Sequence, residues 1–136
     1  MMDNKFQHGV LVVDDEPLVL KYTTSVIAGV GYKNVHKAAN GQSARDILLA
    51  EEISLIICDV SLPDADGRQL IREALELNPA AGGVLITGYL SGDMTVPAEL
   101  AGRVRFLEKP FTADDISHVL AELIERRAPA MAVGRA

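Results

Sequence analysis

The sequence predicts an α/β domain: a doubly wound, five-stranded parallel sheet with helices on both faces. Two observations carry this. Five short apolar runs alternate along the chain with five segments that could be helical, the pattern of parallel strands joined by right-handed crossovers. Three of the runs are apolar throughout and two mix in polar residues, as interior strands covered on both faces and edge strands respectively do.

Gly9 to Val13 (GVLVV) is the first strand and runs into Asp14 and Asp15. Pro17 suits the first turn of a helix, where its missing N–H would be unpaired anyway. Val19, Tyr22, Val26, Ile27 and Val30 follow at helical spacing, and Gly29 or Gly31 ends the helix. Asn34 to Ala38 (NVHKA) is the mixed second strand, followed by a helix over about Gln42 to Glu51 with Ala44, Ile47 and Leu48 inward. Leu55 to Cys58 (LIIC) is the third strand. Asp66 is placed to cap a helix over Gly67 to Leu77, which Pro79 stops. After a fourth strand, Val84 to Thr87 (VLIT), the segment Ser91 to Leu100 (SGDMTVPAEL) supports only a short or distorted helix. Pro97 would remove a donor and clash there, and Thr95 and Val96 are poor helix formers. Val104 to Leu107 (VRFL) is the fifth strand. Thr112 then caps a last helix on which Ile116, Val119, Leu120, Leu123 and Ile124 form an apolar stripe.

The 136 residues suit one domain, over 9–127, with a short N-terminal extension (1–8) and a short tail (128–136). With 49% hydrophobic and 24% charged residues the chain is not a disordered tail, and 4% aromatics with no Trp argue against a base-stacking surface. The net charge of -6 disfavours nucleic acid and anionic membranes and suits a bound cation. Cys58 is the single cysteine, so there is no internal disulfide and the chain is compatible with a reducing cytosol. Strand alternation turns Cys58 to the face opposite Asp59, into the core. No signal peptide and no run of about 18 apolar residues is found, so the expectation is a cytoplasmic chain with no membrane insertion. His8, His36 and His118 show no metal-site spacing. Arg126 and Arg127 sit where they complement the negative end of the last helix, and nothing basic and helical remains to read DNA.

In a doubly wound sheet, ligands sit outside the carboxyl ends of the strands at the switch point. The residues there are Asp14 and Asp15 after the first strand, Asp59 after the third, Thr87 after the fourth and Lys109 after the fifth. One aspartate after a strand is ordinarily a turn residue or helix cap. Four such strand ends on one edge are not explained that way. Two unit charges about 4 Å apart repel by about 4 kcal/mol at an effective dielectric of about 20, so clustered carboxylates need a compensating cation. Oxygen ligands point to a hard divalent ion, and Mg2+ typically takes one or two carboxylates and keeps several waters. Lys109 would add a fixed positive charge.

Four segments in this order make the chain resemble the receiver domain of bacterial two-component response regulators, of the single-domain or hybrid-kinase type. They are VVDDEP (Val12 to Pro17), CDVSLPDADG (Cys58 to Gly67), TGY (Thr87 to Tyr89) and EKPF (Glu108 to Phe111). The resemblance covers Val10 to about Arg127 and implies the flavodoxin-like strand order 2-1-3-4-5. It also implies that Asp59 is the phosphoacceptor and that Asp14, Asp15, Asp59 and the backbone carbonyl of Ser61 hold Mg2+, with Mn2+ able to substitute. Thr87 and Lys109 would bind the phosphoryl oxygens, and Thr87 and Phe106 would form the switch pair. That pair would shift the face made by the fourth helical segment, the fifth strand and the last helix. Ser61 and Tyr89 would flank the path of attacking water, and the Lys109–Pro110 bond would be cis. Asp64 and Asp66 fall to the loop and the start of the third helix.

The chemistry fits that assignment. Phosphoryl transfer runs through a loose transition state with charge over three equatorial oxygens, so positioning and charge neutralisation do most of the catalysis. Gly88, lacking a side chain, would leave room for the donor. The resemblance implies a phosphohistidine donor on a sensor histidine kinase or histidine phosphotransfer protein, and a downstream protein target. Enzymatic activity is implied only as self-catalysed phosphotransfer and autodephosphorylation at Asp59.

The leading reading is a stand-alone domain signalling by protein contact; a close variant is a receiver from a hybrid histidine kinase. An aspartyl-nucleophile phosphatase would want a second acid two residues after the nucleophile, where Ser61 stands. A phosphate-independent interaction module would not need the residues of the chemistry, all of which are present. A flavodoxin-type cofactor binder would want a phosphate-cradling loop after the first strand, where DDEP repels phosphate instead.

Overall fold

The computed structural model describes residues 7–88, 96 and 98–134, with side chains as far as 125. Tyr89, Pro97 and most of the weak fourth helical segment lie outside the described residues, as do the side chains of Arg126 and Arg127.

Five parallel strands, β1 (Gly9–Val13), β2 (Asn34–Ala38), β3 (Leu55–Asp59), β4 (Gly82–Thr87) and β5 (Val104–Glu108), form one sheet in the order β2-β1-β3-β4-β5. The runs that are apolar throughout occupy its interior and the two mixed runs its edges, because an interior strand must satisfy two apolar layers. Alternate residues divide between two cores. Leu11, Val13, Ile56, Cys58 and Leu85 pack with Leu70, Ile71, Ala74 and Leu75 of α3 (Gly67–Leu77) and Ala44 of α2 (Gly41–Ala50). On the opposite face Val10, Val12, Leu55, Ile57, Val84 and Ile86 meet Ile27 of α1 (Pro17–Val30) and Ile116, Leu120 and Leu123 of α4 (Ala113–Gly134).

Most helix ends follow local chemistry. Pro17 opens α1, and Gly31 closes it at φ 129°, a value that L side chains rarely adopt. Asp66 caps α3 by accepting from the Arg68 N–H at 2.8 Å. Thr112 and Asp115 form a reciprocal capping box at the start of α4, the Asp115 N–H donating to Thr112 Oγ1 (3.1 Å) and the Thr112 N–H to Asp115 Oδ2 (2.9 Å).

Other boundaries depart from the sequence reading. Helix α2 begins at Gly41 because Asn40 caps it through the Ser43 N–H at 2.8 Å. Strand β4 begins two residues early: the backbone ladder pairs Leu55 with Gly82 and Ile56 with Gly83, and ladder bonds need no side chain. Before β5 the described residues form a 3-10 helix, Ala98–Arg103. Helix α4 continues through most of the expected tail to Gly134, along an alanine-rich stretch that favours helix.

Leu100 packs the 3-10 helix against the core, and Arg103 ties it to the backbone. The Arg103 guanidinium donates to the carbonyls of Leu75 (3.0 Å), Asn78 (2.9 Å) and Ala81 (3.0 Å), satisfying groups where α3 ends and β4 is about to begin. Among the described residues, no helix is long and apolar enough to cross a membrane.

Candidate functional site

The parallel sheet delivers the ends of β1, β3, β4 and β5 to one rim. The Asp14 N–H donates to the Ala38 carbonyl at 3.1 Å, extending the β1–β2 ladder by one residue and sinking the residue to 2% exposure. Its Oδ1 accepts from the Glu16 N–H at 2.9 Å, a local turn bond. Its Oδ2 is buried, makes no hydrogen bond, and has the Lys109 ammonium 3.4 Å away. Burial raises the Asp14 carboxyl above its ordinary value, and the Asp59 charge adds to that; the Glu16 N–H and Lys109 oppose it.

Asp59 closes β3 and is 8% exposed. Its two oxygens have separate partners: Oδ1 accepts from the Ser61 N–H at 2.8 Å and Oδ2 from the Lys109 ammonium at 2.6 Å. Its backbone lies directly under the first turn of α3. The Val60 N–H bonds the Ile86 carbonyl (2.9 Å), the Gly67 N–H bonds the Val60 carbonyl (2.8 Å), and a Cβ on Gly67 would stand 2.0 Å from the Asp59 carbonyl oxygen. Only glycine lets the helix come this close.

Lys109 follows β5, and its N–H donates to the Thr87 carbonyl at 2.8 Å. The Lys109–Pro110 peptide bond is cis. Besides Asp59 and Asp14, the ammonium reaches Glu16 Oε1 at 2.9 Å. Burial by itself would lower the Lys109 pKa. Hydrogen bonds to Asp59 and Glu16 and the field of Asp14 outweigh it and hold the ammonium well above its ordinary value of 10.5.

One lysine does not balance this site. Asp14, Asp15 and Asp59 can each offer an oxygen within 4.8 Å of the others, with Asp15 open to solvent. A buried, unbonded carboxylate oxygen on one member of such a group fits a hard divalent cation with oxygen ligands, one that keeps waters on its open side.

The sequence-predicted residues thus divide. Asp14, Asp15, Asp59 and Lys109 come together, and the Ser61 N–H bonds Asp59. Thr87 lies at the β4 end, one residue past the Ile86 that pairs with Asp59, and its carbonyl anchors Lys109. Phe106 is half-buried against the core on the α2 and α3 face, opposite Leu85 in the ladder. Cys58 packs in the same core, where burial raises its thiol pKa. Gly88 is exposed, and a Cβ there would meet nothing within 4 Å, so this conformation does not itself require a glycine at that position. His36 bonds Asn34 and His118 pairs with Glu122, and neither joins the acidic cluster.

The contacts of three residues escaped the sequence reading. Glu16 is a fourth acid at the rim. Asp64 caps α2 from the loop after β3, accepting from the Gly41 N–H (2.7 Å) and the Gln42 N–H (3.1 Å), and these backbone bonds hold its carboxyl below the ordinary range. Tyr22 reaches from α1 to the loop after Lys109, donating to the Phe111 carbonyl at 3.1 Å. A neighbouring acid run marked Glu16, but nothing local marked the partners of the other two.

A 2-1-3-4-5 sheet whose strand ends gather carboxylates around a lysine defines a doubly wound α/β protein with an acidic cation site. The chain belongs to the response regulator receiver domain family, which matches residues 10–121. The transcriptional regulatory protein GlrR of Escherichia coli (strain K12) is 31% identical over 129 residues, 95% of this chain and 29% of that protein. The sensor kinase CckA of Brucella abortus (strain 2308) is 29% identical over 120 residues, 87% of this chain and 13% of that protein. The chain therefore spans under a third of either relative. The solved structure of the response regulator protein TrrA from Thermotoga maritima, a complex with Mg2+-BeF, is 24% identical with a TM-score of 0.74 over 86% of this chain and 99% of that one. Receiver domains are signalling switches of two-component systems, bind Mg2+ at an acidic pocket, and interact with histidine kinases or phosphotransfer proteins.

Proposed function

We propose that this chain is a phosphorylation-operated switch in which Asp59 accepts a phosphoryl group from a phosphohistidine. The observation that carries the reading is the pairing of both Asp59 oxygens, with the Ser61 N–H at 2.8 Å and the Lys109 ammonium at 2.6 Å, beside a buried acid with an unbonded oxygen. Asp14, Asp15, Asp59 and the Ser61 carbonyl would hold Mg2+. When bound, that ion would neutralise charge on the transferring group.

A carboxylate oxygen of Asp59 attacks phosphorus, the phosphorus–nitrogen bond breaks, and the departing imidazole keeps its electron pair. Lys109 shifts from carboxylate to phosphoryl oxygen, and the Thr87 hydroxyl donates to another. Later hydrolysis by water returns phosphate and free Asp59, so the activity is self-modification within residues 9–127. Thr87 and Phe106 together would carry the change to the β5 face, for a downstream protein target. The donor would dock beside Lys109, where Leu18 is 82% exposed and, with Val19, Tyr22, Pro110 and Phe111, lines an apolar cleft.

The test is labelling by acetyl phosphate with Mg2+. The native chain should gain one phosphoryl group by intact mass; Asp59→Asn, or excess EDTA, should abolish the gain. Stoichiometric labelling of Asp59→Asn would move the acceptor elsewhere. The likeness to CckA favours a second setting, as the receiver of a sensor kinase; fast onward transfer to a phosphotransfer protein of the same host would select it.

A further inference from the structure

Lys109 is the cation of the proposed chemistry, and its loop is fastened at three points. The Lys109 N–H bonds the Thr87 carbonyl at 2.8 Å. The Phe111 side chain is buried in the core on the α1 and α4 face. The Phe111 carbonyl accepts from the Tyr22 hydroxyl at 3.1 Å, with the two rings 5.9 Å apart and tilted by 51°. The last attachment ties the loop backbone directly to α1. The same helix is entered at Glu16, whose carboxylate takes the Lys109 ammonium at 2.9 Å. Helix α1 therefore holds Lys109 from two sides: the charged head through Glu16 and the backbone two residues on through Tyr22. Tyr22 is 45% exposed, so its hydroxyl bond contributes little to the core and acts on the loop.

We infer that Tyr22 is a positioning residue for phosphotransfer: its hydroxyl fixes the Phe111 carbonyl and thereby holds the Lys109 ammonium at the reacting carboxylate. This rests on the proposed role of Asp59. A phosphodonor lying on α1 would cover the Tyr22 ring, so docking and lysine placement would share one side chain.

The experiment compares the native chain with Tyr22→Phe, which keeps the ring and loses only the hydroxyl. The control, Thr24→Ala, removes a different hydroxyl bond from the same helix, to the Leu20 carbonyl at 2.9 Å. Phosphorylation of each by acetyl phosphate is followed across donor and Mg2+ concentrations. Tyr22→Phe should lower the saturating rate about two- to tenfold, the range spanned by one net hydrogen bond. Mg2+ affinity should stay unchanged, because neither Tyr22 nor Lys109 is among the proposed metal ligands. Thr24→Ala should match the native rate. Equal rates for Tyr22→Phe and native chain overturn the inference while leaving Asp59 as acceptor. Equal slowing by both variants reduces Tyr22 to a general helix contact and also overturns it. Failure of the native chain to be labelled removes the proposed function, and this inference with it.

Discussion

Gly67→Ala should disturb the site without replacing any charged residue. The added Cβ would lie 2.0 Å from the Asp59 carbonyl oxygen, 2.8 Å from the Asp59 carbonyl carbon and 3.0 Å from Val60 Cα. All three are backbone atoms, two at the end of the buried strand β3 and one in the residue that follows it, so no side chain can rotate away. Helix α3 must retreat by about 1 Å or more, stretching the 2.8 Å bond from the Gly67 N–H to the Val60 carbonyl. Overpacking of this kind costs about 1–3 kcal/mol, and the immovable partners place it near the top of that range. Alanine's helical advantage over glycine returns up to about 1 kcal/mol. The net loss of about 2 kcal/mol corresponds to a fall in Tm of about 6–10 °C for a domain this size. Circular dichroism melts in EDTA and in Mg2+ measure it. The stabilisation by Mg2+ should shrink as well, since the displaced backbone carries Asp59. Gly29→Ala is the matched control: nothing lies within 4 Å of its Cβ in α1, so it should leave Tm unchanged or raise it. A Gly67→Ala melt at or above the native Tm, with the Mg2+ response intact, would refute the close-approach argument.

Two further substitutions probe the acids and the fold. Burial raises the Asp14 carboxyl above its ordinary 3.8, so the native state holds this proton more tightly than the unfolded chain. The ionised group thus costs stability that is absent below that value and grows as pH rises through the folded pKa. Asp14→Asn should melt a few degrees above the native chain at pH 7 in EDTA, converge with it toward pH 3, and lose the roughly 1.4 kcal/mol that a ligand at ten times its Kd supplies. A metal-free Tm below native, or an undiminished Mg2+ shift, would contradict this. Arg103→Met should lose about 2–3 kcal/mol in urea at unchanged m-value, since its three carbonyl acceptors lose a charged donor; a loss under about 0.5 kcal/mol would show that solvent replaces it.

What was legible in the sequence follows the range of the forces involved. Strands β1 and β2 and helix α3 fell on their expected residues, because apolar runs and the Asp66 cap act within a few positions. β4 did not, because Gly82 and Gly83 pair through backbone alone, which leaves no side-chain signature. The start of α2 was hidden in Asn40-Gly41, which reads equally well as a turn. The Arg103 clamp joins the 3-10 helix to residues 22 to 28 positions earlier, and no local pattern announces it.

The site divides along the same line, and the division bears on how such a switch is built. Asp14, Asp15, Asp59 and Lys109 were readable because parallel topology alone sends four strand ends to one edge. The contacts that hold them in place were not. Glu16 meets Lys109 across 93 positions, Tyr22 meets Phe111 across 89, and Asp64 reaches α2 across 23. Two of these contacts join α1 and its cap to the Lys109 loop, and the third joins α2 to the loop after Asp59. Topology therefore brings these groups to one rim, and contacts between residues far apart in the chain set where they stand. If the Tyr22 hydroxyl positions Lys109 as proposed, chains that share the four segments but differ at this position should differ in phosphorylation rate while keeping the same acceptor.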